Sequence, residues 1–210
     1  MGQDRHEGHL GAVYDAKGPQ EVAQLYNVWA ATYDREMAAA GYRHPSVGVA
    51  LLARHLPRGS TPVLDAGAGT GLLGDWLGIL GYPQAEALDI SEGMLAVARA
   101  KGAYARLHCL ALGGELPFAD QSYAGIISTG VFTTGHVGAE ALDELIRICR
   151  RGGVIVLTVK DALWTGGFAA RLRDLVEVNR IALVEETEPY ISMPGEVGTS
   201  PSRAVVLRVT

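Results

Sequence analysis

The stretch VLDAGAGTG at residues 63–71 decides the fold of this sequence. Two apolar residues run into a single acid, Asp65, and three glycines then alternate with small residues. This pattern is typical of a buried strand that ends on a tight turn, because glycine accepts backbone conformations that other residues avoid. Such a turn also lets the backbone approach a ligand closely, so the stretch predicts a binding site at the end of a strand.

Short apolar runs alternate with helical patterns along the rest of the chain. Strands are predicted at residues 61–65, 86–89, 104–110, 123–129, 154–159, 181–187 and 204–209. Continuous apolar strands that alternate with helices indicate a parallel sheet covered on both faces. A loop without a helix joins the last two strands, so we expect them to pair antiparallel. The predicted fold class is α/β, a Rossmann-like, seven-stranded, mostly parallel sheet with an antiparallel C-terminal hairpin strand.

Apolar residues at steps of three and four predict the helices. Helices are expected at residues 19–40, 46–56, 138–149 and 167–179, and after the glycine turn, where Leu72, Leu73, Trp76, Leu77 and Leu80 would share one face. We expect three parts: a flexible leader at residues 1–18, an N-terminal helical lid at 19–57 packed on the core, and the core itself at 58–210.

Composition narrows the class of protein. The chain has 210 residues, is 48% hydrophobic and carries a formal net charge of −5, which fits one domain with a large buried core. The acidic balance without a basic stripe argues against a nucleic-acid partner. The polar leader does not resemble a signal peptide and no apolar run reaches the length of a membrane span, so we expect a cytoplasmic protein. Oligomeric state is left open.

The two cysteines, Cys109 and Cys149, both lie in apolar stretches. Free, buried thiols are therefore expected rather than a disulfide. No cluster of cysteines and histidines has the spacing of metal ligands, so no metal site is expected.

Three ligands compete for the glycine turn. A nucleoside triphosphate is excluded, because a P-loop needs a lysine after its glycines and none follows here. A dinucleotide fingerprint GxGxxG would place a small residue where this chain has Leu72, although Asp89 lies at the distance expected for a ribose-binding acid. A cationic ligand without phosphate suits Asp65 best. S-adenosylmethionine carries an ammonium and a sulfonium, and Asp89 is predicted to accept hydrogen bonds from its ribose hydroxyls.

At this point the sequence resembles the class I S-adenosylmethionine-dependent methyltransferases. The segments that carry the resemblance are VLDAGAGTG (63–71), ALDISEGMLAVARAKG (87–102), LPFADQSYAGIIS (116–128) and RRGGVIVLTV (150–159). Within that class, the sequence is similar to the methyltransferase-like family named for the Williams–Beuren syndrome chromosomal region. The resemblance covers almost the whole chain after residue 20.

The resemblance implies S-adenosylmethionine as the cofactor and assigns residues to each part of it. The methionine end would be held by Asp65, Ala66, Gly67, Gly69 and Gly71, the ribose by Asp89, and the adenine ring by Ile90 and Met94. Ser128, Thr129 and Gly130 would line the channel to the methyl group. Tyr26, Trp29 and Tyr33 would form an aromatic lid over the cofactor, or else pack their helix on the core. Where the family usually has an acid that binds the adenine amino group, this chain has Leu112 followed by Gly113, so backbone at Gly113 or the side chain of Glu115 would have to substitute.

The implied function is transfer of a methyl group to an unidentified small-molecule acceptor. No catalytic residue is assigned: His136 has a suitable ordinary pKa, but a structural hydrogen bond explains it equally well. Tyr190 and Met193, in the loop of the closing hairpin, are predicted to line an acceptor pocket, or else to pack on the core. Two alternatives stay open, a non-catalytic S-adenosylmethionine-binding protein and an NAD-dependent oxidoreductase.

Overall fold

The computed structural model describes residues 8–133 and 136–210. The first seven residues of the predicted leader, and two residues of the loop after the fourth strand, lie outside the described residues. The strands are β1 (Val63–Ala66), β2 (Ala85–Asp89), β3 (Arg106–Cys109), β4 (Tyr123–Phe132), β5 (Cys149–Lys160), β6 (Ile181–Glu186), β7 (Tyr190–Ile191) and β8 (Pro201–Val209).

These strands form one mixed sheet in the order β3-β2-β1-β4-β5-β8-β6. Strands β1 to β5 pair in parallel, whereas β8 lies antiparallel between β5 and β6. The predicted fold class and the antiparallel finish are therefore confirmed. The strand count differs by one from the predicted seven, because the two-residue β7 adds a short pairing to β8. The strand order reverses at β1, since β2 lies on one side of it and β4 on the other. A crevice therefore opens at the carboxyl ends of β1 and β4.

Helices cover both faces of this sheet. They are α1 (Gly8–Tyr14), α2 (Pro19–Trp29), α3 (Tyr33–Ala39), α4 (His44–His55), α5 (Gly74–Ile79), α6 (Glu92–Lys101), α7 (Leu142–Ile148), α8 (Asp161–Leu163) and α9 (Ala169–Glu177), with short 3₁₀ and π segments at Ala139–Ala141 and Trp164–Phe168. None of the helices in the described ranges is both long and apolar enough to cross a bilayer.

The core divides into two layers because side chains alternate along each strand. Ile126 packs into the layer beneath α7 and α9, and the next residue, Ile127, packs into the layer beneath α4 and α5. The same alternation runs along β5 and β8. A third cluster, which contains Trp29, Met37 and Met193, joins the N-terminal helices to α6 and to the loop after β7.

Several local predictions were wrong. The helix expected at residues 19–40 is interrupted at residues 30–32: α2 ends at Trp29, α3 begins at Tyr33, and the Thr32 hydroxyl donates to the Trp29 carbonyl. Trp76 is 55% exposed instead of buried, because α5 has only six residues and turns that position to solvent. Cys109 is exposed, since it lies on β3 at the edge of the sheet, whereas Cys149 is buried as expected.

The leader also differs from its prediction as a loose segment. Residues 8–14 form α1, and Val13 on this helix is only 1% exposed because it packs in the third cluster. Burial of this apolar side chain stabilises the packing of α1 on the other N-terminal helices.

Candidate active site

The glycine turn folds over the end of β2. The amides of Gly67 and Ala68 both donate to the Leu88 carbonyl, at 2.7 and 3.0 Å. Gly67 has φ +85°, and a Cβ built there would lie 2.2 Å from Val131 Cγ2 on β4. A side chain at this position would therefore be strained and would collide with the neighbouring strand. The turn brings bare backbone to the crevice at the ends of β1 and β4.

Asp89 ends β2 with its carboxylate directed at this turn. Its Oδ2 accepts from the Gly69 amide at 2.8 Å, and its Oδ1 accepts from the Ser91 amide at 2.9 Å. Ser91 in turn caps α6 by accepting from the Met94 amide. Burial raises the pKa of the Asp89 carboxyl, and the amides that bond to it work against that rise. A carboxylate oxygen accepts more than one hydrogen bond, so Asp89 retains capacity for a ligand's hydroxyls.

Asp65 is placed differently from the prediction. It is only 1% exposed and lies behind the glycine turn rather than in the wall of the cleft. Its Oδ2 accepts from the Tyr104 hydroxyl at 2.5 Å, whereas its Oδ1 has no hydrogen-bond partner among the described residues. Burial is the main reason that the pKa of the Asp65 carboxyl rises to about 7, and nearby Asp89 adds to it. A buried carboxylate oxygen without a partner is rare, and a cationic ligand nearby would compensate it.

A cleft of roughly 850 Å³, including its open mouth, lies between the glycine turn and the N-terminal helices. Nine of the predicted site residues line it: Tyr26, Tyr33, Gly67, Gly69, Asp89, Ile90, Met94, Leu112 and Thr129. Its walls combine apolar side chains with a few polar groups, an arrangement typical of cofactor sites.

The other predicted site residues lie outside the wall of this cleft. Trp29 is buried, and its indole N–H donates to Glu36 Oε2 at 2.7 Å. Ser128 is fully buried, and its hydroxyl donates to the Ala66 carbonyl at 2.5 Å, so it links β4 to β1. Asp65, Gly71 and Gly113 are likewise absent from the wall. At Gly71 a Cβ would meet the Tyr104 ring at 2.9 Å, so this glycine serves packing.

Sequence reasoning assigned no role to several residues that line the cleft. They are Pro19, Val22, Tyr42, Leu88, Leu110, Ala111, Val131 and Val137. Leu88, Leu110 and Val131 lie at or next to the carboxyl ends of strands, and that position was a usable signal. Leu112 lies in the cleft wall beside Leu110 and Ala111, and Glu115, which was predicted as a possible substitute for the missing acid, is exposed.

Two polar connections hold the N-terminal helices over the cleft. Asn27 Oδ1 on α2 accepts from the Gly93 amide at 2.8 Å and from the Ser91 hydroxyl at 2.7 Å. Asp34 on α3 accepts from the Thr70 hydroxyl at 2.5 Å and forms an ion pair with Lys101 at 2.6 Å. The helices are therefore fastened both to the start of α6 and to the glycine turn.

A second, smaller cavity of about 410 Å³, including space that is open to solvent, continues from the cleft behind these helices. It shares Tyr26, Tyr33, Tyr42, Gly130 and His136 with the cleft. We call it the inner chamber. Met193 lines it as predicted, whereas Tyr190 lies behind it and bonds to His44 Nδ1 at 2.7 Å. His136 borders both spaces, and its Nδ1 lies 2.5 Å from the Thr133 hydroxyl.

Comparison with known proteins gives the class of this site. Residues 64–157 match the family model described as a methyltransferase domain. Together with the sheet order and the placement of Asp89, this match shows that the chain carries a class I S-adenosylmethionine-dependent methyltransferase domain. S-adenosylmethionine is the cofactor that this class uses. The residues present fit this cofactor. The glycine turn offers bare backbone for close approach, and the carboxyl group of Asp65 behind the turn has a buried oxygen, Oδ1, without a hydrogen-bond partner among the described residues.

Particular relatives extend the comparison. The chain is 35% identical over 151 residues to methyltransferase-like protein 27 of Homo sapiens, a match that covers 69% of this chain and 61% of that protein. It thus spans about three fifths of that relative's length. Among solved structures, a TehB-like S-adenosylmethionine-dependent methyltransferase from Corynebacterium glutamicum has a TM-score of 0.65 at 21% identity, covering 89% of this chain and all of that one.

The shared fold extends to another named activity. The cyclase SpnF has a TM-score of 0.65 at 16% identity, and the match covers 92% of this chain and 97% of that chain. At such identities the likeness concerns the fold alone, so the reaction has to be argued from the site.

Proposed function

We propose that the protein transfers the methyl group of S-adenosylmethionine to a small-molecule acceptor. The observation that carries this proposal is the Asp89 carboxylate at the end of β2, bonded to the Gly69 amide inside a cleft lined by Gly67 and covered by the N-terminal helices. A ribose diol needs such an acceptor, and a flexible amino-acid end needs a bare backbone surface. The small inner chamber supports an acceptor of limited size.

The site residues then divide the work of holding the cofactor. In this proposal Asp89 accepts from the ribose hydroxyls, and Ile90, Met94 and Leu112 pack against the adenine. The glycine turn receives the methionine end, with Asp65 behind it as the nearest buried carboxylate. Thr129 and Gly130 border the path from the cleft to the inner chamber, where the acceptor would lie.

The protein's own contribution to the reaction is position and dryness. When bound, S-adenosylmethionine supplies a methyl group on a sulfonium, whose sulfur keeps the bonding electron pair as a neutral thioether when the acceptor's lone pair takes the methyl. A hydroxyl or amine acceptor releases its proton to solvent. The residues at 19–57, proposed as the lid, exclude water and align the acceptor, and alignment alone accounts for large rate effects.

The proposal is tested by calorimetric titration of S-adenosylmethionine and S-adenosylhomocysteine, followed by incubation with small-molecule extracts and a methyl-labelled donor. We expect micromolar binding and label in a small-molecule fraction. Absence of heat with both ligands would sink the proposal. Binding without any labelled product would instead support a non-catalytic binding protein. A change in NADH fluorescence when NADH is titrated with the protein would support the oxidoreductase alternative.

A further inference from the structure

The inner chamber is placed where an acceptor would meet the cofactor. Its boundary with the cleft consists of Tyr26, Tyr33, Tyr42, Gly130 and His136, which line both spaces. A molecule in the chamber would therefore face a ligand in the cleft across the end of β4. This argument rests on the proposed function, and the composition of the chamber says which acceptor it suits.

Aromatic rings form the wall of the chamber nearest the lid. The rings of Trp29 and Tyr33 meet edge to face with centroids 4.8 Å apart, and Tyr26 stacks on Trp29 at 5.8 Å. Met37 and Met193 add two flexible apolar side chains. Rings in such arrangements offer faces and edges to a further flat ring, and methionines adapt to its outline. This wall favours a planar, largely apolar molecule.

The opposite side of the chamber is polar. Lys160, the last residue of β5, is only 3% exposed, and its ammonium donates to the Ser200 carbonyl at 3.2 Å. Ser192 is fully buried, and its hydroxyl has no hydrogen-bond partner among the described residues. A buried hydroxyl without a partner is costly, so a ligand atom that bonds to it would be favoured. Both groups line the chamber and are hydrogen-bond donors.

The charge of this polar side is positive. Burial and, to a lesser degree, the charge of Lys160 together lower the pKa of His44 to about 3, and burial also lowers the pKa of His136. Both imidazoles are therefore neutral at pH 7, and of the described residues that line the chamber only Lys160 carries a charge. A cation in a dry, low-dielectric pocket interacts strongly with an anion of the ligand.

We propose that the methyl acceptor is a small aromatic monocarboxylate. Its ring lies against Trp29 and Tyr33, and its carboxylate is held by the Lys160 ammonium and the Ser192 hydroxyl. The group to be methylated then stands at the end of the ring opposite the carboxylate, towards the cleft. Lys160 and Ser192 are accordingly specificity-determining residues that bind the acceptor.

Three probes test this inference on protein saturated with S-adenosylhomocysteine. Calorimetry compares 4-hydroxybenzoate with 4-hydroxybenzamide, which has the same shape without the charge, and with hexanoate, which has the charge without the ring. We expect the benzoate to bind at least tenfold more tightly than the amide and more tightly than hexanoate. If S-adenosylhomocysteine binds but the benzoate does not bind, or binds no better than the amide, the inference is wrong. Equal binding of hexanoate would overturn its aromatic part.

Two substitutions locate the preference. Lys160→Met removes the charge at similar size and should bring the benzoate-to-amide ratio close to one, whereas Ser192→Ala should weaken the benzoate by at least about tenfold, the loss of one hydrogen bond to a charged group. Both variants should bind S-adenosylhomocysteine within twofold of the wild type. An unchanged ratio in folded Lys160→Met would contradict the assignment. If that variant does not fold, Ser192→Ala and the wild-type ratio still decide.

Discussion

The cleft and the inner chamber are neighbouring spaces built in opposite ways. The polar groups proposed to hold the cofactor lie within one stretch of chain, from the glycine turn to the start of α6, where Asp89 accepts from the Gly69 and Ser91 amides. The chamber takes Leu10 from α1, Met37 from α3, Lys160 from β5 and Ser192 from the loop after β7. Its polar groups are side chains.

This difference indicates which part of the sequence determines cofactor binding and which determines acceptor binding. A cofactor that is common to a whole class can be held by a local motif, because a strand, a turn and one carboxylate suffice. An acceptor has to be recognised by side chains that only the tertiary fold brings together. Substitutions can show whether cofactor binding depends on the local motif alone or also on the N-terminal helices that cover the cleft.

Removal of the Asp89 carboxylate is expected to have the largest effect. Asp89→Ala deletes the proposed ribose acceptor and frees the amides of Gly69 and Ser91, so affinity for S-adenosylhomocysteine should fall at least about 100-fold, the equivalent of two hydrogen bonds to a charged group. Calorimetry measures this loss. Asp75→Ala, which removes an exposed acid on α5, is the matched control and should bind like the wild type. A loss below threefold in Asp89→Ala would show that the cleft does not hold the ribose there.

The turn itself is tested by adding one methyl group. Gly67→Ala combines positive φ with a collision against Val131, so the free energy of unfolding should fall by about 2–3 kcal/mol. Gly69→Ala is the matched control: its φ is also positive, but no atom lies within 4 Å of the added Cβ, so only about 1 kcal/mol should be lost. Urea unfolding measures both. Equal losses would mean that contact between the turn and β4 is unimportant.

Asp65 makes the stability of the ligand-free protein depend on pH. Its pKa is about 7 in the folded protein and 3.8 by default, so the folded state binds the additional proton between these values. The stabilisation is complete below about pH 4 and is lost as the pH rises to about 7. Urea unfolding of wild type and Asp65→Asn from pH 4 to 8 isolates this group. The wild type should lose stability relative to the variant as pH rises, and a constant difference would contradict the assignment.

The smallest effect is expected at the connection between lid and turn. Asp34→Ala removes the bonds to Thr70 and Lys101. The ion pair is partly exposed and contributes little, whereas the buried Thr70 hydroxyl loses its acceptor, so the free energy of unfolding should fall by about 1 kcal/mol. Affinity for S-adenosylhomocysteine should fall up to about fivefold, because the lid is then less firmly held over the cleft. Arg35→Ala, an exposed neighbour, should change nothing. A loss as large as that of Asp89→Ala would make the helices equal partners of the motif.

The sequence was informative where the physics is local. Gly67, Gly69 and Asp89 lie within one continuous unit of β1, the glycine turn, α5 and β2, and their pattern predicted the position of the cleft. Trp76 was misplaced because helical periodicity predicts which residues share a face, but neither the length of the helix nor the neighbour that covers that face. Lys160 ends an apolar strand, which is an unusual place for a charge. Only the folded structure shows that it lines the same cavity as Ser192 and the N-terminal helices. Such long-range meetings are not encoded in any window of sequence.

The most direct test of the central claim is a crystal structure of the protein with S-adenosylhomocysteine. The account predicts that both ribose hydroxyls lie within hydrogen-bond distance of the Asp89 carboxylate, that the adenine packs against Ile90 and Met94, and that the sulfur faces Gly130 and the inner chamber. A ligand whose ribose avoids Asp89, or whose sulfur faces away from the chamber, would contradict it.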